Sequence, residues 1–85
     1  MTIQQIRYAL KIAETGSVCR AARMLGVRQP SVSAAIDHLE QEMNILIFER
    51  SSRGMTLTDA GQEFLDDASV LERTFGQLES RYGVG

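Results

Sequence analysis

The chain has 85 residues, 44% of them hydrophobic, with a single cysteine and a formal net charge of −2; that length holds one compact domain with a small core and no second domain. Its apolar runs, the longest around Ile45 to Phe48, are too short to cross a bilayer, and "MTIQQIRYALKIAE" mixes polar residues into what a secretory signal would keep apolar. Cys19 alone can form neither an internal disulfide nor a multi-thiolate metal site, so the expectation is a cytoplasmic protein with no membrane partner, metal or cofactor.

Ile3, Ile6, Leu10 and Ala13 recur at steps of three and four, which predicts an amphipathic helix over residues 2–14, ended by Thr15-Gly16. Ser17 is a good N-cap for a short second helix, Val18 to Leu25, with Val18, Ala21, Ala22 and Leu25 on its apolar face and Gly26 as its stop. A third helix starts near Gln29-Pro30, where proline is tolerated in a first turn. Its core stripe is Val32, Ala35 or Ile36, Leu39 and Met43.

Beyond Asn44 the pattern changes to "ILIFERSSRGMTL", whose β-branched and aromatic residues around Ser-Ser-Arg-Gly predict a small β-hairpin. Thr58 can cap a last long helix with Asp59 in its first turn. Phe64, Ala68, Leu71, Phe75, Leu78 and Tyr82 follow a 4-3-4-3-4 spacing along it, a heptad stripe. The final "YGVG" is expected to fray. The predicted fold is mainly α, with three helices and a two-stranded wing over 1–58, a long helix over 59–82 and a tail at 83–85.

Two short helices joined through Gly26 match the helix-turn-helix unit, here about 18–37, with a wing at about 45–57. In that unit the tight turn lets the second helix present its N-terminal residues to a DNA major groove while the first braces it. The residues left outside the core stripe are Gln29, Pro30, Ser31, Ser33, Ala34, Asp37 and His38. Gln29 can pair with an adenine edge, the Pro30 ring can meet a thymine methyl, and Ser31 and Ser33 can reach phosphate or a base. By spacing alone, the same residues fit a solvated helix face equally well.

Charge distribution adds weight to the DNA reading. Residues 1–58 carry seven Lys/Arg against five acids, a balance of +2, whereas 59–85 carry two against six, a balance of −4. No acid lies between Glu14 and Asp37, and Arg20, Arg23 and Arg28 fall in that gap, a local basic stretch of the kind that meets phosphate. Arg50 and Arg53 flank Ser51-Ser52 on the hairpin, where cations can enter a minor groove or hold a backbone. A cationic turn can equally be plain soluble surface.

The run "AARMLGVRQPSVSAAIDHLEQEMNILIFERSSRGMTLTDAGQEFL" resembles the N-terminal domain of bacterial LysR-type transcriptional regulators. The resemblance rests on the "AA…L" helix, "QPSVS", the "LE" pair, the "LFER"-like strand, the "R-G" wing and "LT-AG", and it extends over nearly the whole chain. It implies sequence-specific binding of a pseudo-palindromic double-stranded DNA by a dimer at the nucleoid, with no enzyme activity. Gln29, Pro30 and Ser33 would face bases or adjacent phosphates. Arg53 would act in the wing with Arg50 and Ser52 beside it, and the helix from Thr58 would pair two chains through Phe64, Ala68, Leu71, Phe75, Leu78 and Tyr82. Members often have Ser or Thr at the position of Arg28 and Arg at that of Ala34. The first difference removes a cap worth on the order of 1 kcal/mol, although Arg28 can serve as a phosphate contact, and the second removes a groove or phosphate contact. A C-terminal effector domain, which would take any small-molecule inducer, is expected to lie outside a fragment of this length.

Three other features have weaker readings. Cys19 near a helix start could be redox-responsive, but a small packing role is expected. His38 with Asp37 and Glu42 is too sparse for metal or acid–base chemistry, which need several converging groups. The long helix could fold its stripe onto its own domain, but its length favours pairing. The alternative function is a winged-helix protein-interaction module that does not read bases; the wing arginines argue against it.

Overall fold

In the computed structural model, which describes residues 1–83, the elements run α1 (Ile3–Thr15), α2 (Val18–Leu25), α3 (Gln29–Met43), β1 (Phe48–Ser51), β2 (Gly54–Leu57) and α4 (Asp59–Arg81). This is the predicted order: a three-helix body, an antiparallel hairpin and a long closing helix.

Each helix start carries the chemistry its first turn requires, with one exception. Thr2 accepts the Gln5 N–H while the Gln5 side chain accepts the Thr2 N–H, a reciprocal box that satisfies two orphan donors. The Ser17 hydroxyl accepts from Arg20 N–H at the start of α2, and the Thr58 hydroxyl accepts from Gly61 N–H at the start of α4. At α3 the capping position is Arg28, which makes no side-chain cap bond, as its substitution for a hydroxyl residue predicts. Gly16 and Gly26 end α1 and α2 in the left-handed conformation, at φ 73° and 71°.

The buried face of α1 is Ile6, Tyr8, Ala9 and Ile12, not the predicted Ile3, Ile6, Leu10, Ala13 stripe. Ala13 is exposed, and Ile3 and Leu10 are half-buried. The reason is position: α1 packs against α2, α3, α4 and β2, so it buries a wide arc instead of one seam. In α3 the core positions are Val32, Ile36 and Leu39, with Ala35 and Met43 half-buried at the edge. Ile12, Ile36, Leu39, Ile47 and Val32 are the largest fully enclosed side chains, and among the described residues no polar side chain is buried.

The hairpin pairs Phe48 with Leu57 through Ser51 with Gly54, leaving Ser52-Arg53 as a two-residue turn. Its strands are shorter than the expected span of about 45–57, because Ile45 to Ile47 do not join the ladder. The Glu40 carboxylate accepts from Ile47 N–H at 2.8 Å and Phe48 N–H at 3.2 Å, and the Ile47 carbonyl accepts from Thr58 N–H at 3.0 Å. Those backbone groups are occupied by α3 and by the start of α4. The Thr58 hydroxyl also reaches the Leu46 and Ile47 carbonyls.

α4 crosses this connector at Gly61, which is buried. A β-carbon there would stand 2.1 Å from the Ile47 carbonyl oxygen, so the "AG" of "LT-AG" is a backbone crossing that excludes any side chain. Farther along, Leu65 and Ala68 are the last buried residues of the helix. At its end Tyr82 is the cap, and the Gly83 N–H closes onto the Glu79 carbonyl at 3.1 Å; Val84 and Gly85, the rest of the expected tail, lie outside the described residues.

Candidate nucleic-acid interface

α2 and α3 pack on each other and on α1, and after the Gly26 turn the first two turns of α3 bury Val32 and Ile36 in the body while their opposite face stays open. Arg28, Gln29, Pro30, Ser31, Ala34, Asp37 and His38 are all exposed. Ser33 is half-buried, lying beside the enclosed Val32 at the margin of that face. The predicted recognition residues are therefore brought together on one helix end, with Ser33 at its border.

The wing stands next to that helix and is tied to it. The Arg50 guanidinium donates to Asp37 Oδ1 at 3.3 Å, an exposed pair with side chains 61% and 56% accessible. Asp37 thus supplies a counter-charge to the wing, a pairing that the sequence, which offers Arg50 and Asp37 only as separate contacts, does not reveal. Arg53 has no such acid beside it among the described ion pairs. It sits at the exposed tip, its backbone N–H donating to Ser51 Oγ at 3.2 Å. The other edge of the wing joins the turn after α1: Met55 N–H donates to the Gly16 carbonyl at 3.0 Å. Gly54 approaches the same carbonyl so closely that a β-carbon would lie 2.5 Å from it. An open groove of about 550 Å³ follows, in which Arg20 of α2 and Arg53 of the wing line the same space with Ser17 and Thr56. Two cations, hydroxyls and the N-terminal end of α2 face a common opening, which suits an anionic backbone.

Cys19 is exposed, not packed as expected, because α2 turns Ala21 and Ala22 inward; its Sγ accepts from Arg23 Nη2 at 3.8 Å. His38 stands on the exposed face alone, and among the described residues no three of His, Cys, Asp or Glu gather as metal ligands.

The stripe on α4 divides. Ala68 is buried and Phe64 half-buried in the chain's own core, so these two belong at least partly to the body. Leu71, Phe75, Leu78 and Tyr82 are 53%, 38%, 49% and 69% exposed, an apolar row beyond the core. On the adjoining face Arg7 of α1 donates to Glu72 at 3.2 Å and to Glu79 at 2.9 Å, and its guanidinium lies 5.2 Å from the centre of the Phe75 ring. Hydrogen bonding to Glu79, opposed by some desolvation, raises the Arg7 pKa above its ordinary value. Sequence reasoning missed Arg7, Glu40, Thr58 as a bridge, and Gly61 as a crossing. Glu40 lies in the "LE" pair and Gly61 in "LT-AG", but their partners are seven and fourteen residues away in the chain.

Residues 3–62 match the family model described as "Bacterial regulatory helix-turn-helix protein, lysR family". The HTH-type transcriptional regulator TfdS of Cupriavidus pinatubonensis is 50% identical over 68 residues, 80% of this chain and 23% of its own length. ClcR of Pseudomonas putida is 44% identical over 71 residues, 84% of this chain and 24% of its own. The chain therefore spans about a quarter of the length of these curated relatives. Among solved structures, the DNA complex of the CbnR DNA-binding domain superposes with a TM-score of 0.89 at 35% identity, covering 96% of this chain and 94% of that one. The complex of the BenM DNA-binding domain with benA site 1 DNA gives 0.88 at 33% identity, over 96% and 95%. With a family match over most of its residues and the same winged helix-turn-helix in its structural neighbours, this chain belongs to the lysR family of bacterial regulatory helix-turn-helix proteins.

Proposed function

We propose that the chain is the DNA-reading part of a bacterial transcriptional regulator: a cytoplasmic, non-enzymatic, dimeric unit that binds a pseudo-palindromic duplex. The observation that carries this reading is the exposed N-terminal end of α3, Gln29 to Ala34, beside a cationic wing, in a fold shared with domains solved on DNA. Residues 1–58 form the reading domain and 59–82 the pairing helix. Gln29 takes a base edge, Pro30 an adjacent methyl, Ser31 and Ser33 base or phosphate, and Arg28 a phosphate; Ala34 and Asp37 border the same groove. Arg53, with Ser52 and Arg50, reaches the backbone or minor groove.

Gln29→Ala and Ser33→Ala are expected to weaken operator binding more than scrambled-duplex binding, because base contacts contribute roughly 1–3 kcal/mol of discrimination. Titrations of both duplexes at fixed salt measure this. Equal losses would reassign the residues to phosphate, and no binding to any duplex would favour the protein-interaction module instead.

The wing separates its two arginines by salt dependence. Arg53→Ala is expected to lower affinity for every duplex and to flatten the logarithmic salt slope by about one unit, as for one lost phosphate contact. Arg50→Ala should flatten it less, since Asp37 already neutralises part of its charge. Affinities across a salt series on one duplex check both, and equal slopes for Arg53→Ala and the unaltered chain would remove Arg53 from the backbone.

A further inference from the structure

α4 is anchored near its beginning and free near its end. Its last buried residue is Ala68, and the apolar row that would meet a second chain begins at Leu71, beyond that anchor. From Ala68 to Glu79 the helix runs about 16 Å, so a small tilt at the anchor becomes a displacement of several ångström where the partner would bind. Something must hold the angle. Apolar packing within the chain does not hold it there, because Leu71, Phe75 and Leu78 are all substantially exposed. Beside the contact of α1 with α4, an open groove of about 330 Å³ is lined by Arg7, Leu10, Lys11, Glu14, Leu25 and Glu72.

Arg7 joins α1 to α4. Its three partners, Glu72, Phe75 and Glu79, stand at successive steps of three and four on one face of α4, so one guanidinium grips two turns of the free segment. A planar donor that bonds carboxylates on either side of a ring and faces that ring constrains direction as well as distance. Resting on the dimeric DNA-binding reading above, we propose that Arg7 is a positioning residue which fixes the tilt of the distal half of α4, and so the separation of two recognition helices and the half-site spacing the dimer accepts. The residue touches neither DNA nor the second chain in this scheme; it acts through the angle.

Two measurements test this on the same variants, Arg7→Ala, Arg7→Lys and the double Glu72→Gln, Glu79→Gln, which cuts the tie from the other helix. Spin labels at Gln41→Cys and Gln77→Cys in a Cys19→Ser background, diluted with unlabelled chain, report the angle within one chain by pulsed dipolar spectroscopy. The unaltered tie should give one narrow distance distribution, Arg7→Ala and the double variant a broad one, and Arg7→Lys an intermediate width, since lysine keeps charge without the planar fork. Affinities for duplexes whose half-sites are moved apart by up to half a helical turn report the consequence. The unaltered chain should discriminate by about tenfold or more across that series, and Arg7→Ala by no more than about threefold, with affinity for an isolated half-site unchanged. Unbroadened distances in folded Arg7→Ala and in the double variant, or broadening that leaves the spacing preference of a dimer intact, overturn the proposal. If the unaltered chain sediments as a monomer, the dimeric reading fails separately, and the proposed control of half-site spacing falls with it, while the intrachain distances still report the Arg7 tie itself.

Discussion

Glutamate at both Leu71 and Leu78 is expected to convert the chain into a folded monomer. Each leucine is about half exposed on the isolated chain, and neither is part of the core cluster around Ile12, Ile36 and Leu39. The fold of one chain therefore loses little. In a paired state the same positions form an apolar seam, where an unpartnered carboxylate costs several kcal/mol; a two-fold pair contains four of them. Sedimentation equilibrium at tens of micromolar should show the unaltered chain as a dimer and the variant as a monomer, with matching helical circular dichroism. Affinity for a two-half-site duplex should fall toward that of a single half-site. An unaltered chain that is monomeric at those concentrations with its helices intact would assign the row to some other contact.

The second large effect is on stability. Alanine at Gly61 places its β-carbon 2.1 Å from the Ile47 carbonyl oxygen, 2.8 Å from its carbon and 2.9 Å from its α-carbon. All three obstacles are main chain, so no rotamer change relieves them and α4 must lift from the connector. The expected loss is about 3 kcal/mol or more, even though alanine is intrinsically better in a helix by roughly 1 kcal/mol. For a domain of this size that lowers the melting temperature by more than about 10 °C. Gly76, also inside α4, has nothing within 4 Å of the added carbon, and there the helical preference acts alone. Gly76→Ala should raise the melting temperature by a few degrees, corresponding to up to about 1 kcal/mol. Thermal melts of both variants in the Leu71→Glu, Leu78→Glu background keep association out of the comparison. A neutral Gly61→Ala would mean that the crossing yields to a side chain and does not hold α4 against the connector.

The contrast between these glycines shows what the sequence carries and what it does not. Helix limits were legible because caps and stops are local: Ser17, Gly26, Pro30 and Thr58 act within three or four residues of where they stand. The exposed face of α3 was legible for a similar reason, since subtracting the apolar period of α3 leaves Gln29, Ser31 and Ala34 outside, and all three are exposed. The hairpin limits were not, because the backbone of Ile47 answers to Glu40 and Thr58 and not to its own strand preference. The stripe of α1 was misplaced since a helix covered on several sides has no single buried period. Arg7 and Glu79 are 72 positions apart, and neither residue type distinguishes a tie from ordinary solvated charge. The pairing of Arg50 with Asp37 was hidden in the same way.

The Glu40 clasp has one more effect. By gripping Ile47 and Phe48 from a fixed point on α3, it makes the number of residues between Gln29 and Glu40 a gauge: one residue more or fewer would rotate the reading end of the helix by about 100° relative to the wing. On the DNA-reading proposal, new operator preferences would then arise by exchanging the exposed side chains among Arg28 to Ala34, but not by lengthening or shortening the segment. For retargeting, the exposed positions of that stretch form a set of fixed length around the enclosed Val32, and a library confined to them should return folded binders far more often than one that also admits insertions or deletions.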